Sequence, residues 1–183
     1  DKWLNALIAR EFNQHIMYHF PHICDGHDFT PNMHTLPWQK NPELLAAWQQ
    51  GQTGYPLIDA SMRCLNQTGF LHEDLLQACA LFFTKILFMD YRLGETYFAQ
   101  MRLDYDYASN NALWQWSAST GAESVIYARI PQPARQSEVF DSTGEFIRQY
   151  CPELASINAI GIHDPHYHAR DVIAENNYPK PIV

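Results

Sequence analysis

The stretch Asp104-Tyr-Asp-Tyr-Ala-Ser-Asn-Asn-Ala-Leu-Trp-Gln-Trp-Ser-Ala-Ser-Thr-Gly121 sets two acids, paired amides and two tryptophans within one helical length. With Asp106 opening a helix, Asn110 and Trp114 follow at i+4 and i+8 and share a face, which predicts a pocket wall of carboxylate, amide and indole. That chemistry suits a flat heteroaromatic ligand with hydrogen-bonding edges. The competing reading of the segment alone is an N-capped helix whose tryptophans belong to the core, since aromatic stripes are usually core.

Outward from this segment the dominant period is helical. Leu4, Leu7, Ile8, Phe12 and Ile16 form one apolar stripe; Asn41-Pro42-Glu43 starts a helix that ends before Gly51, and another follows Pro56 and ends near Gly69. A mostly apolar helix is expected over 73–89, central and buried on most sides. Further helices are expected over 94–102, 105–117 and 144–150, with Pro131, Pro133 and Pro152 in loops. No strand-like alternation of useful length occurs. The expectation is one all-α domain over 1–183, without repeats or an internal linker.

With 46% hydrophobic and 14% aromatic residues, the composition predicts a packed globular domain. The apolar run 78–89 is shorter than the roughly 20 residues of a membrane span and contains Lys85, read as snorkelling or paired with an acid. Cys24, Cys64, Cys79 and Cys151 are scattered without a Cys-x-x-Cys pair, which predicts reduced thiols and a soluble, cytoplasmic protein. A net charge of −8 without a Lys/Arg run argues against a broad DNA-binding surface. The histidines around His19, His22 and His27 with Cys24, and those of His163-Asp-Pro-His-Tyr-His168, are read as loop and structural residues, so no metal is expected. Asp59 and Arg63 read as a helix-surface pair, and Arg10, Glu11 and Glu95 as structural ion pairs.

Together with four other segments, 104–121 resembles the flavin-binding core of the photolyase/cryptochrome family. These are Trp3-Leu-Asn-Ala-Leu-Ile-Ala-Arg-Glu-Phe12, Trp48-Gln-Gln-Gly-Gln-Thr-Gly-Tyr-Pro-Leu-Ile-Asp-Ala-Ser-Met-Arg63, Asp90-Tyr-Arg-Leu-Gly-Glu-Thr-Tyr-Phe98 and Phe140-Asp-Ser-Thr-Gly-Glu-Phe-Ile-Arg-Gln-Tyr-Cys-Pro-Glu-Leu154, in the family's order. The resemblance implies a helical FAD-binding domain in which FAD is excited by blue light and tryptophans carry an electron to it. By motif, Asp104, Asp106 and Asn110 are implied to contact the flavin and ribose region, Trp3 to lie on the adenine-phosphate side, and Glu73 to face the flavin's reactive nitrogen. Trp114 is implied as the flavin-proximal electron carrier and Trp38 as the distal one, with Tyr91 where the family usually has the middle tryptophan. Trp116 and Gln136 match residues that contact lesion and DNA.

The departures concern the repair face. Ala6 and Ala9 stand where the family's repair enzymes carry a lesion-binding glutamate and tryptophan, and Asp74 stands where they carry a DNA-facing arginine. Leu76 replaces the arginine that normally pairs with the first acid of the Asp-x-Asp motif, so Asp104 must be solvated, protonated or paired differently. The family's phosphate-cradling loop and its N-terminal α/β domain precede the helix that starts at Trp3, and this chain alone is expected to hold FAD weakly or not at all. The leading expectation is a cryptochrome-like FAD-binding domain, a photoreceptor or signalling remnant with a protein partner, impaired pyrimidine-dimer repair and doubtful DNA binding. The alternatives are a divergent or fragmentary deoxyribodipyrimidine photolyase, which would make the chain a lyase, and a flavin-free scaffold for protein interaction.

Overall fold

The computed structural model describes residues 2–31, 36–122 and 130–183. Among these residues the regular structure is helical: α1 (Lys2–His19), α2 (Pro42–Gln50), α3 (Pro56–Thr68), α4 (Glu73–Leu81), α5 (Tyr91–Met101), α6 (Tyr107–Ala118), α7 (Pro133–Phe140), α8 (Glu145–Tyr150), and the short α9 (Pro165–His168) and α10 (Arg170–Glu175). Extended pairing is limited to an isolated bridge between Gln39 and Met89. No described helix is long and apolar enough to cross a membrane.

Local chemistry sets the helix ends. Asn41 accepts from the backbone N–H groups of Glu43 and Leu44 ahead of Pro42, and Gly51 closes α2 in the left-handed conformation that suits glycine. Asp106 caps α6 by accepting from Ser109 N. The helix expected over 73–89 is α-helical only to Leu81; Phe82–Ile86 continues it as a π turn in which Leu87 N donates to Phe82 O. The turn lets Phe82, Phe83 and Thr84 all be buried in succession. Lys85 on this turn donates from Nζ to the Ser119 hydroxyl at 2.6 Å.

The main core gathers α2–α6 around Trp48, Phe83, Phe98 and Trp114. A second cluster, containing Ala60, Ile147, Leu154 and Ile162, packs α8 and the following turns on α3. Asp59 stands between the two and is wholly buried, not a surface partner of Arg63. Its carboxylate accepts from Thr53 N and Oγ1, Gly54 N and the Tyr178 hydroxyl, while Arg63 pairs with Glu153 at 2.7 Å. The i,i+4 spacing suggested a mutual pair; burial of Asp59 instead demands direct donors, and the 53–54 turn and Tyr178 supply them.

Helix α1 has no buried residue, and its stripe of Leu4, Leu7, Ile8 and Phe12 is exposed. Arg10 on its inner side pairs with Asp106 at 3.5 Å and ties α1 to the start of α6.

Candidate functional site

A cavity of about 610 Å³ opens between α1, α4 and α6, within the range of about 300–1,000 Å³ typical of small-molecule and cofactor sites. Ala6 and Ala9 form part of its α1 wall, Glu73 and Leu76 part of its α4 wall, and Ser109 and Trp116 part of its α6 wall. At the two alanines the α1 wall is low and offers no side-chain hydrogen-bonding group, although Arg10 and Asn13 line the same wall.

The loop entering α6 brings the cavity's charged pair. Arg102 Nε donates to Asp104 Oδ1 at 3.0 Å, the guanidinium being mostly covered and the carboxylate 46% exposed. Asp104 therefore has a cationic partner two residues upstream, while Leu76 occupies α4 as an apolar neighbour in the same cavity. Arg102 was not singled out from the sequence, although the pattern Arg-Leu-Asp carried the signal; a charge two residues from an acid on an extended loop reaches it directly.

Asp106, Asn110 and Trp114 do share one helical line, as their spacing requires. The line faces the core rather than the cavity at Asn110 and Trp114, both of which are fully buried. Asp106 serves as the cap, with Oδ1 accepting from Ser109 N and Oγ and Oδ2 facing Arg10; the Ser109 bonds hold its carboxyl below the usual range. Asn110 Nδ2 donates to Glu95 O, and neither Asn110 Oδ1 nor Trp114 Nε1 meets a partner among the described residues. The neighbouring amides Asn111 and Gln115 are the ones that border the cavity. Asn111 donates to Glu95 Oε1 and accepts from Gln115, which in turn accepts from Phe29 N. Burial pushes the Glu95 carboxyl up, against the pull of the Asn111 bond.

The three positions implied by motif to carry electrons, Trp114, Tyr91 and Trp38, lie outside the cavity lining. Trp114 contacts Phe83, Phe98 and Trp48, with ring centroids 5.0 to 5.9 Å apart. Tyr91 is 1% exposed and Trp38 packs on Phe88 with centroids 5.0 Å apart. Trp3 is 71% exposed and lies outside the cavity lining; Gln136 sits on α7, also outside the lining, with Oε1 buried and without a partner among the described residues. Of the other residues implied by motif, Glu73, Asp104 and Trp116 are brought together at the cavity.

The donor set fits a heteroaromatic cofactor. Arg102 and Asp104 offer a paired donor and acceptor at the rim, Glu73 a carboxylate, and Leu76 and Trp116 apolar surface for a ring. No cluster of three or more His, Cys, Asp or Glu side chains suited to a metal ion occurs among the described residues.

Comparison with known proteins shows the family. Residues 3–183 match the model of the FAD binding domain of DNA photolyase. The chain is 46% identical over 181 residues to the deoxyribodipyrimidine photo-lyase of Salmonella typhimurium, and 45% identical over the same length to that of Escherichia coli. Each alignment covers 99% of this chain but 38% of the relative, so the chain spans well under half the length of these proteins. Among solved structures, an archaeal photolyase from Sulfolobus tokodaii with two FAD molecules superposes with a TM-score of 0.91 at 37% identity, covering 100% of this chain and 41% of that one. A Synechocystis cryptochrome superposes with a TM-score of 0.75 at 34% identity, covering 81% of this chain and 32% of that one. The chain belongs to the photolyase/cryptochrome family, as a helical FAD-binding domain.

Proposed function

We propose that this chain holds FAD in the cavity between α1, α4 and α6 and delivers electrons to it in blue light, as a cryptochrome-like module whose pyrimidine-dimer face is reduced. The observation that carries this reading is the Arg102–Asp104 pair at the cavity rim. It supplies a cation for the first acid of the Asp-x-Asp motif at the place where Leu76 withdraws the expected one, so the pocket keeps its charge balance with the charge relocated.

Bound FAD would supply absorption of blue light and acceptance of one electron. The chain's own residues do the rest. Arg102, Asp104 and Glu73 orient the ligand's polar edge; Trp114 is the first electron donor, followed by Tyr91 and Trp38. Ala6 and Ala9 remove the hydrogen-bonding and stacking groups that a repair enzyme directs at a lesion, which separates light capture from repair.

The binding test is absorption and fluorescence of the purified chain titrated with FAD. Saturable quenching of flavin fluorescence, weak for this chain alone and lost in Asp104→Ala, supports the site; no saturable binding removes it and leaves the flavin-free scaffold. A second reading, a light-dependent DNA photolyase, is favoured by the names of the 46% and 45% identical relatives. Light-dependent repair of a thymine-dimer oligonucleotide by the full-length gene product would establish it over the photoreceptor.

A further inference from the structure

We propose that Asp28 is the proton acceptor through which Tyr91 takes part in the electron relay, an inference that rests on the flavin reading above. The Tyr91 hydroxyl donates to Asp28 Oδ1 at 2.8 Å, and the two residues are 1% and 4% exposed. An indole can give up an electron and keep its N–H proton for a time. A phenol that loses an electron becomes a very strong acid, and inside a core it needs a base already within hydrogen-bonding distance. Asp28 is such a base, at a distance suited to direct transfer.

The surroundings hold that carboxylate in place. It belongs to a loop outside any helix, fixed because Gln115 Oε1 accepts from Phe29 N at 2.8 Å and Thr30 N donates to Thr120 O at 2.9 Å. Arg92 donates from a terminal nitrogen to the same Asp28 oxygen at 3.0 Å and from Nε to Gly26 O at 2.6 Å, with its guanidinium carbon 4.6 Å from the Tyr91 ring centroid. Burial and the Asp28 carboxylate push the phenol's own acidity far down, so Tyr91 keeps its proton until it is oxidised. Electron and proton then leave together.

Tyr91 is also well placed for the electron. Gly94, one turn along α5 on the same face, lies against the Trp114 indole. On the other side, Trp38 packs on Phe88, and Gln39 bridges to Met89, just before Tyr91.

In the forward step one electron passes from the Tyr91 ring to a Trp114 indole that has itself lost one, as it would to a bound flavin in blue light. The Oη–H bond breaks and an O–H bond forms on Asp28, leaving a neutral tyrosyl radical beside a carboxylic acid. In the return step an electron from Trp38 reduces the radical and the proton goes back from Asp28 to Oη. The sum is one electron moved from Trp38 to Trp114 and no net proton at Asp28; the half-buried Trp38 indole, left one electron short, is restored by a soluble thiol, which is oxidised to a thiyl radical and releases its proton.

The test uses flash excitation of the FAD-loaded full chain, followed by transient absorption and electron paramagnetic resonance. Wild type should show a tyrosyl radical whose formation slows in heavy water, and an infrared carboxylic-acid band that shifts on ¹³C-aspartate labelling. Asp28→Asn should slow tyrosyl formation ~100-fold, the lower end of what a positioned base contributes, whereas Asp28→Glu should recover most of the rate. Tyr91→Trp should abolish the isotope effect, and adding Asp28→Asn to it should change nothing further. A labelled band missing from wild type, or a tyrosyl radical formed at the wild-type rate in folded Asp28→Asn, overturns the proposal. The same radical measurement on flavin-free chain, with flash-generated tris-bipyridyl ruthenium(III) as oxidant, separates the two readings. Asp28-dependent tyrosyl formation there, in a chain that binds no FAD, supports the proton acceptor while the cofactor reading fails.

Discussion

Trp114 fills the space that Gly94 leaves open: a methyl group on Gly94 would come within 2.1 Å of Cη2 of the indole and 2.4 Å of Cζ3. Replacing a helix-interior glycine by alanine ordinarily stabilises by about 0.5–1 kcal/mol. Here the rigid, wholly buried ring has nowhere to go. Gly94→Ala should instead destabilise by about 1–3 kcal/mol, the usual cost of overpacking, as a lower urea midpoint with an altered tryptophan emission spectrum. An unchanged midpoint would show that the indole can move.

The relocated charge at the cavity rim predicts an exchange of partners. Arg102→Leu should weaken FAD binding by about tenfold, the loss of one charge-assisted hydrogen bond. Adding Leu76→Arg should restore most of it by supplying the cation from α4. Folding stability should change by less than about 1 kcal/mol in Arg102→Leu, because the pair is partly solvated. Fluorescence titration of the single and double variants with FAD checks the exchange; a double variant no better than the single would show that Asp104 needs its partner on the loop.

Asp106 predicts an acid-side effect. Its folded pKa lies below its unfolded value, chiefly through the Ser109 bonds. Its contribution is therefore complete above the unfolded pKa and disappears as pH falls through the folded one. Asp106→Ala should cost about 1 kcal/mol at neutral pH, as the loss of a helix cap does. The gap to wild type should close as the pH is lowered below 3.8, the ordinary value of the group, which denaturant curves at several pH values would reveal.

Glu95 predicts the opposite slope. Burial raises its pKa in the folded chain, so its contribution is complete below the unfolded value and is lost as pH rises through the folded one. Glu95→Gln keeps an acceptor for Asn111 and removes the titration. The stability of the variant relative to wild type should rise as the pH is taken above 4.5, the ordinary value of the group; a difference that stays level would show that the Asn111 bond and Arg92 compensate the burial.

Much of this was legible in the chain, for physical reasons that also mark where legibility ended. Asn41, Gly51, Gly69 and Asp106 announce helix ends because capping is local chemistry, satisfied within three or four residues. The face shared by Asp106, Asn110 and Trp114 is equally local. Which way that face points is not, since it depends on Gly94 making room on another helix. The Asp28–Tyr91 bond joins residues 63 apart in sequence, so no periodicity could disclose it. Asp59 misled in the other sense: a spacing that fits an ion pair said nothing about Tyr178, 119 residues away, whose hydroxyl it accepts. Arg102 stands only two residues before Asp104, but that spacing fixes a partner only once the chain between them is extended enough for the guanidinium to turn back onto the carboxylate.

The π turn at Phe82–Ile86 makes chain length, more than composition, the sensitive variable at the centre of the molecule. It is one residue richer than an α-helical turn. Removing any single residue there would let the bond from Leu87 N to Phe82 O become an ordinary helical one, and would rotate everything beyond it by about 100° about the axis. Phe88 would swing away from Trp38, and Met89 from Gln39. At this point a deletion acts as a rotation, breaking an aromatic path without altering any of the side chains that compose it.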